Sequence, residues 1–187
     1  DGGESFIMSS KDMCMIEHIP ELIEAGVTSF KIEGRMKSSY YAAAVTNAYR
    51  HGIDDVLSGS TVSPVWVAET EKLSHRPYST GFYYGQPGQY TSDSAYFSGA
   101  EICAVVEACD ETGMARLTQR NKFSVGDELE LLTNDGPPVS FFAAGMREMD
   151  GEALVSTPRA MMEFTMPLPR PCGPLSILRR IKDETQR

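Results

Sequence analysis

The 187-residue chain has no long apolar stretch, and its first residues do not have the pattern of a signal peptide. Its longest purely apolar runs are only a few residues, far below the ~20 that cross a bilayer, so we expect no membrane contact. The chain starts at Asp1 without an initiator methionine or a basic and apolar signal region. This start indicates a piece of a longer protein.

Cysteine is scarce, and common catalytic motifs are missing. The four cysteines, Cys14, Cys103, Cys109 and Cys172, match neither a zinc-binding pair nor a dense disulfide framework, which predicts a cytoplasmic location. HExxH, GxSxG and glycine-rich phosphate loops are absent. The three histidines, His18, His51 and His75, are too scattered in sequence to predict a metal site. Ordinary hydrolase and nucleotide-binding motifs are thereby excluded.

The composition is that of a globular protein, with 41% hydrophobic and 23% charged residues. Its length allows one ordinary domain or two small ones. The chain carries 17 basic and 26 acidic residues, a net charge of −9. Because nucleic-acid binding needs a positive surface, this balance disfavours non-specific binding and leaves only a local basic patch.

The first sixty residues have the rhythm of an α/β unit. A short apolar run over Ser5–Met8 precedes one broken helix from near Met13 to Gly26. Val27–Glu33 alternates like a strand, and Ser38 or Ser39 caps a long helix that ends near Leu57. Tyr41 and Tyr49 lie on the apolar stripe of that helix. The predicted order is strand, helix, strand, helix.

The pattern changes twice after this unit. Residues 60–98 are rich in proline and glycine and predict a linker with short strands around Val65–Val67 and Thr80–Tyr84. From residue 99 the hydrophobic period becomes two, which predicts a small antiparallel β-barrel. Its six strands are expected at Ile102–Ala108, Met114–Thr118, Glu128–Leu132, Ser140–Ala144, Met161–Met166 and Ser176–Ile181. The fold class is therefore α/β followed by all-β.

Lys31, Glu33 and Arg35 are the densest candidates for chemistry. Period-two geometry places the three side chains on one side of the predicted strand, and strand ends in α/β folds are where ligands bind. Inside a barrel they would have to pair with each other or with a ligand. The alternative is an edge strand with a solvated charged face.

Cys14 is a second candidate. The predicted helix places it just inside a helix start, where the helix dipole favours a thiolate that can act as nucleophile or ligand. The alternative is a small buried hydrophobic residue. The patterns around the other three cysteines are typical of structural positions.

The predicted barrel carries a basic and aromatic cluster of Arg116, Arg120, Lys122 and Phe123. Small barrels often bind polynucleotides through such faces, which makes the three basic residues candidates for RNA binding. A solvated strand face is the alternative.

Longer segments resemble a known family. Four segments have sequences that resemble this family: Ser10–Cys14, Ile19–Val27, Phe30–Ser38 and Tyr40-Tyr41. A fifth segment, Gln119–Glu128, resembles the C-terminal domain of the family. The chain is thus identified as similar to the collagenase-like peptidase family, peptidase family U32. The resemblance covers both halves of the chain.

The resemblance implies a larger parent protein. Residues 1–60 would end a TIM-barrel-like catalytic domain, whose final strand and helix would be residues 27–58. Residues 61–98 would be a linker with short strands, and residues 99–187 the small C-terminal β-barrel. The cysteine-rich signature of the family would precede this segment.

The resemblance also implies a function. Family members carry a peptidase or collagenase label, yet characterised relatives look like iron-sulfur proteins that assist hydroxylation of tRNA (at the wobble uridine), rRNA or ubiquinone precursors, some with prephenate as cosubstrate. One ligand of the four-iron four-sulfur cluster falls at a position like Cys14, and the other ligands would lie outside this chain.

Two functions are therefore carried forward, and the fragment alone is expected to catalyse neither. In the leading one, the parent protein assists RNA hydroxylation, and Lys31, Glu33 and Arg35 line the cavity and pair with an anionic cosubstrate or phosphate. In the alternative, it is a peptidase acting on collagen-like or unfolded peptides. A peptidase needs a nucleophile beside a base or a metal-activated water, and the sequence offers neither. The oligomeric state stays open.

Overall fold

The computed structural model describes residues 10–90 and 99–182, and the chain divides into two compact units after Gly99. The first unit is mainly helical, and the second is built from β-strands. No helix in the described part of the chain is long and apolar enough to cross a membrane.

Within residues 10–90, the first unit combines three α-helices, a 3-10 turn and a two-stranded parallel sheet. Its elements are β1 (Asp12–Met13), a 3-10 helix (Ile16–His18), α1 (Ile19–Glu24), α2 (Ser39–Leu57), α3 (Pro64–Glu71) and β2 (Tyr78–Ser79). β1 pairs with β2, so the start of the described chain is tied to a segment more than sixty residues later.

Helix α2 confirms its prediction from sequence. The Ser38 hydroxyl accepts a hydrogen bond from the Tyr41 backbone N–H at 3.2 Å, which satisfies one of the free donors at the helix start. Ala44, Val45 and Ala48 are buried along one side of the helix. The small core of the first unit gathers Ile16, Ile19, Ala48 and Trp66.

Three strand predictions for the first unit are wrong. Val27–Glu33 has no regular secondary structure and belongs to no sheet, because no strand among the described residues lies beside it to complete the hydrogen-bond ladder. Val65–Val67 lies inside α3, where Pro64 occupies the first turn and Trp66 enters the core. Thr80–Tyr84 forms a turn that follows β2.

The predicted helical start near Met13 also needs correction. Asp12–Met13 forms β1, and helical structure begins only at Ile16. Ser5–Met8 lies outside the described residues. The strand-helix-strand-helix order is therefore not reproduced in the described residues, and the assignment of residues 1–60 to a TIM-like barrel stays a prediction.

The second unit, in the part that the structure describes up to residue 182, is one antiparallel sheet of six strands. They are β3 (Ala100–Cys109), β4 (Met114–Gln119), β5 (Glu128–Leu132), β6 (Val139–Phe142), β7 (Glu163–Pro167) and β8 (Ile177–Ile181). Their order across the sheet is β6-β5-β8-β3-β4-β7. All six strand predictions are confirmed, with boundaries shifted by no more than about two residues.

Alternation along the strands builds the core of this unit. Ala115 and Leu117 of β4 are fully buried, as are Phe164 and Met166 of β7. The sheet is a curled half-barrel and not the closed barrel expected from the sequence, because β6 and β7 form its two ends and do not pair with each other. The segment between them contributes isolated bridges instead, one of which joins Arg147 to Thr165 of β7.

Candidate functional site

The first unit contains a cavity of about 430 Å³, which we name the Cys14 cavity. Its wall is formed by β1 and β2, by α2 and α3, and by the irregular segment at residues 27–33. The chemically active side chains of its wall are Lys11, Asp12, Cys14, Lys31, Glu33, Lys37, Tyr41, Tyr49, Thr70, Tyr78 and Tyr83.

Cys14 is positioned by the small parallel sheet. It follows β1 directly, and its backbone N–H donates to the Ser79 carbonyl at 3.0 Å. The side chain is half-buried and faces the cavity. The prediction that Cys14 lies inside a helix start is wrong, because the 3-10 helix begins only at Ile16. The argument from the helix dipole therefore does not apply to this thiol.

Two hydroxyl groups lie next to the Cys14 sulfur. The Tyr49 hydroxyl is 3.7 Å from Sγ, and the Thr70 Oγ1 is 4.0 Å from it. The Tyr49 oxygen also accepts a hydrogen bond from the Met15 backbone N–H at 2.9 Å. Because that bond occupies a lone pair of the oxygen, the Tyr49 proton is free to point toward the sulfur. Tyr49 can thus donate to the sulfur, whereas the Thr70 hydroxyl donates to the Val67 carbonyl at 2.7 Å and accepts from the thiol.

Three tyrosines of this wall, Tyr41, Tyr49 and Tyr78, are held in their neutral form. Burial raises the pKa of Tyr49, and the nearby Cys14 raises it further. The pKa of Tyr78 is raised by the same two causes in the same order. Burial is also the main reason that the pKa of Tyr41 is raised, followed by Asp12 and Cys14. These phenols remain hydrogen-bond donors at neutral pH.

Lys37 and Asp12 are two charged side chains of the wall that are held by contacts within the first unit. The Lys37 Nζ donates to the Ser74 carbonyl at 2.7 Å and lies 3.7 Å from the Asp12 Oδ2. The same Nζ is 5.5 Å from the centre of the Tyr41 ring. Asp12 Oδ2 also accepts the Arg76 backbone N–H at 3.1 Å. Both charges are therefore held in place before any ligand enters.

Sequence reasoning missed most of this wall. Tyr41 and Tyr49 had been interpreted as apolar packing residues of α2, although a spacing of eight residues puts two phenols on one face. Tyr78 and Thr70 come from the stretch interpreted as linker. No local sequence signal places these two beside Cys14, since contacts between residues 14, 49, 70 and 78 depend on tertiary packing.

The Lys31, Glu33 and Arg35 group is only partly assembled. Lys31 Nζ lies 3.7 Å from Glu33 Oε2, and both side chains line the cavity while remaining largely exposed, at 87% and 68%. Arg35 is exposed and does not line the cavity, and its backbone N–H donates to Glu33 Oε1 at 3.2 Å. The expected burial of three charges in a barrel interior is not present in this unit.

The candidate RNA-binding cluster of the second unit is weaker than its sequence indicates. Arg116 is exposed on β4 but pairs with Glu163 at 3.1 Å. Arg120 is half-buried and Lys122 is exposed just beyond the strand. Phe123 is 1% exposed and packs into the core, so it cannot stack on a base.

The described cysteines do not by themselves form a complete binding site for an iron-sulfur cluster. The described ranges 10–90 and 99–182 contain no group of three or more histidine, cysteine or acidic side chains that could bind a metal ion. Within the second unit, Cys103 is buried in the core, and Cys109 and Cys172 hydrogen-bond to each other. A four-iron four-sulfur cluster is bound by four thiolates, and the lining of the Cys14 cavity contains one cysteine of the kind required.

Comparison with family models covers both units. Residues 1–93 match the model described as peptidase family U32, and residues 99–179 match the model of the C-terminal domain of that family. The chain belongs to peptidase family U32.

Two bacterial relatives match nearly the whole chain. The tRNA hydroxylation protein P1 of Bacillus subtilis is 34% identical over 187 residues, which cover 95% of this chain and 44% of that protein. The tRNA hydroxylation protein P of Escherichia coli is 36% identical over 174 residues, which cover 89% of this chain and 37% of that protein. The chain thus spans less than half the length of these relatives.

Two further relatives carry different names. A 23S rRNA 5-hydroxycytidine synthase of Escherichia coli is 30% identical, with 80% of this chain and 24% of that protein covered. An uncharacterised protease of Methanocaldococcus jannaschii is 35% identical, with 68% of this chain and 33% of that protein covered.

Proposed function

We propose that the protein containing this chain takes part in the hydroxylation of a base in RNA, with the wobble uridine of tRNA as the first candidate substrate and rRNA as the second. The observation that carries this proposal is the Cys14 cavity, which holds one thiol beside the Tyr49 and Thr70 hydroxyl groups, within the residues that match the family model. The relatives named for tRNA and rRNA hydroxylation support it. Such a reaction takes place in the cytoplasm.

Within this proposal, Cys14 is one ligand of a four-iron four-sulfur cluster whose other ligands are not among the described residues. Its half-buried position keeps bulk water from much of the sulfur, and Tyr49 can donate a hydrogen bond to the ligated sulfur. Hydrogen bonds to cluster sulfurs are one way a protein sets the reduction potential. The bound cluster would supply electron-transfer chemistry.

The charged side chains of the cavity wall are proposed to bind an anionic cosubstrate, for which prephenate is the candidate. Lys31, Lys37 and Glu33 line the same cavity. An ammonium group that is already oriented loses less freedom when it meets a carboxylate. Lys37, held by Ser74 and Asp12, meets that condition, whereas the exposed Lys31 is positioned only by its contact with Glu33.

A peptidase is the second function, and the family name and one relative's name favour it. It needs a nucleophile activated by an adjacent base. In the described part of the chain, Cys14 hydrogen-bonds to hydroxyl groups, and neither a histidine nor a carboxylate donates or accepts at its sulfur. The geometry therefore favours cluster ligation over nucleophilic attack.

The proposed function is tested in a bacterial strain that lacks the natural gene. The full-length gene is returned as wild type, as Cys14→Ala or as Cys109→Ala, and hydroxylated nucleosides of tRNA and rRNA are measured by mass spectrometry. We expect wild type and Cys109→Ala to restore the modification and Cys14→Ala to lose it. A deletion strain with unchanged hydroxylated nucleosides would overturn the proposal, and cleavage of unfolded peptides by the purified protein would support the peptidase.

The cluster assignment has its own measurement. The full-length protein is reconstituted anaerobically with iron and sulfide, and the bound iron is determined for wild type, Cys14→Ala and Cys109→Ala. We expect bound iron to fall only in Cys14→Ala. Unchanged iron content in that variant would reject Cys14 as a ligand.

The second unit is proposed to add an RNA contact through Arg116, Arg120 and Lys122. Because phosphate contacts release counterions, the double change Arg120→Glu with Lys122→Glu is expected to weaken RNA binding and to flatten its salt dependence. Titrations of the full-length protein at several salt concentrations measure both effects. If the double variant and the wild type have equal RNA affinity and an equal salt dependence of binding, these residues of the second unit make no contact with RNA.

A further inference from the structure

Three consecutive aromatic side chains of the first unit face solvent. They lie in the turn Gly81–Gly85, which we name the aromatic turn. Phe82 is 80% exposed, Tyr83 is 65% exposed and Tyr84 is 61% exposed. Single exposed apolar residues are common, whereas three exposed aromatic residues in a row are a candidate for contact with a partner.

The aromatic turn is held in a defined conformation. The Tyr84 hydroxyl donates to Glu21 Oε2 and lies 3.1 Å from that oxygen and 3.1 Å from His18 Nδ1. The Tyr84 ring packs on the His18 ring with 4.7 Å between centres. Gly81 has a φ of +61°, and a Cβ there would lie 2.9 Å from the Met13 sulfur. The rings are therefore presented by an anchored turn, which reduces the entropy lost when a ligand binds.

The charge beside the aromatic turn differs from that of the whole chain. Tyr83 lines the Cys14 cavity together with three lysines, Lys11, Lys31 and Lys37, and two carboxylates, Asp12 and Glu33. The cavity wall thus has one more cationic than anionic side chain, whereas the chain as a whole has a net charge of −9. Exposed aromatic rings beside cationic side chains are the combination that binds single-stranded nucleic acid.

We propose that the aromatic turn is a stacking platform for unpaired RNA bases, which holds the nucleotide to be modified at the mouth of the Cys14 cavity. Base stacking on an aromatic ring needs bases that are splayed out of a helix, so the partner is a single-stranded loop and not duplex RNA. This inference rests on the proposed function, because it names how that function's substrate is held. Phe82 and Tyr83 provide the free ring faces, and Tyr84 anchors the turn.

The test measures binding of the full-length protein to fluorescent poly(uridine) and to duplex RNA of equal length, by anisotropy at fixed salt. Phe82→Ala and Tyr83→Ala are each expected to weaken poly(uridine) binding roughly tenfold, the usual loss when one stacking ring is removed. Phe82→Tyr keeps a ring and is expected to restore most of the affinity. Duplex RNA binding is expected to be weaker and to respond little to either change.

Phe142→Ala is the matched control, because Phe142 is a phenylalanine of the second unit that is 68% exposed. It is expected to leave poly(uridine) affinity unchanged. Equal affinity of Phe82→Ala, Tyr83→Ala and wild type would overturn the platform. Lower thermal stability of these variants with unchanged RNA affinity would also overturn it, because the rings would then pack against another part of the protein.

Failure of the platform and failure of the proposed function give different results. If wild type binds poly(uridine) and the ring variants bind it equally well, only the platform is overturned. If the wild-type strain and the deletion strain have the same hydroxylated nucleosides, the proposed function is overturned whatever the binding data show.

Discussion

The second unit packs its buried apolar side chains into one core, whereas the described part of the first unit leaves a cavity, an irregular segment outside any sheet and an exposed aromatic turn. Every strand of the second unit pairs with a neighbour within that unit. In the first unit, by contrast, Val27–Glu33 has no strand beside it in the described residues. We therefore expect the functional site in the first unit, which leaves polar groups accessible. We expect the second unit, which buries them, to contribute more to stability.

The two units also differ in how deeply they bury their thiols and charged side chains. Cys14 opens onto a cavity with hydroxyl partners, while Cys103 is 0% exposed. The second unit even buries a charge completely, because Arg179 is 0% exposed and lies against Glu130 at 2.6 Å. Such a charge persists only when its partner is retained. Three measurements sharpen this comparison.

The largest expected difference is in thiol reactivity. Burial raises the pKa of Cys103 to about 12, so its thiolate fraction at about pH 8 is roughly a thousandfold below that of an ordinary thiol. Iodoacetamide labelling of the 187-residue chain, followed by peptide mass spectrometry, is expected to modify Cys14 and to spare Cys103. In urea both should react. Equal labelling of the two cysteines in the folded chain would contradict the comparison.

The second expected effect is on stability. Glu130→Ala leaves the Arg179 guanidinium buried without this carboxylate, which is expected to lower the free energy of unfolding of the second unit by about 3–5 kcal/mol. Circular dichroism of the sheet during urea unfolding measures this loss. Trp66, the single tryptophan, reports the first unit by fluorescence in the same samples.

The exposed pair Arg50–Asp54 of α2 supplies the control for that measurement. Its side chains are 55% and 58% exposed, so solvent screens the attraction. Arg50→Ala is expected to leave both urea midpoints unchanged. A second-unit midpoint that is the same in Glu130→Ala and Arg50→Ala would show that the buried pair is not desolvated.

The smallest expected effect distinguishes two glycines with the same backbone conformation. Gly113 in the second unit and Gly26 in the first have φ values of +87° and +86°. A Cβ at Gly113 would lie 2.9 Å from the Leu168 carbonyl oxygen, whereas a Cβ at Gly26 meets nothing within 4 Å. Gly26→Ala should therefore cost only the backbone strain, about 1 kcal/mol, and Gly113→Ala about 2–3 kcal/mol. Urea unfolding of both variants measures the difference, and equal losses would show that the sheet relaxes around the new methyl group.

The fold of the second unit was predictable because its signals are local. Alternation places Leu117 and Phe164 inward, and short turns such as the one at Asp110–Gly113 separate the strands. Closure into a barrel was not predictable, since it depends on whether β6 and β7 meet. In the first unit, Val27–Glu33 alternates like a strand, yet a strand exists only where a neighbour supplies hydrogen bonds.

The candidate site was predictable only in part. Cys14, Lys31 and Glu33 were named from the sequence, and all three line the cavity. Tyr49, Thr70 and Tyr78 were missed, because they join Cys14 from positions 35, 56 and 64 residues further along the chain. Phe123 was misplaced, since an aromatic residue beside basic ones can equally be part of a core.

By itself the sequence determined the strands of the second unit, the capped helix α2 and the membership in peptidase family U32. These features depend on hydrophobic periodicity, helix capping and short sequence motifs, all of which are contained within short stretches of the chain. Only the tertiary structure decided that Cys14 lies among tyrosine and threonine hydroxyls and that Phe82 faces solvent while Phe123 does not. The physical reason is that burial and contact are properties of the packed chain, which no single segment contains.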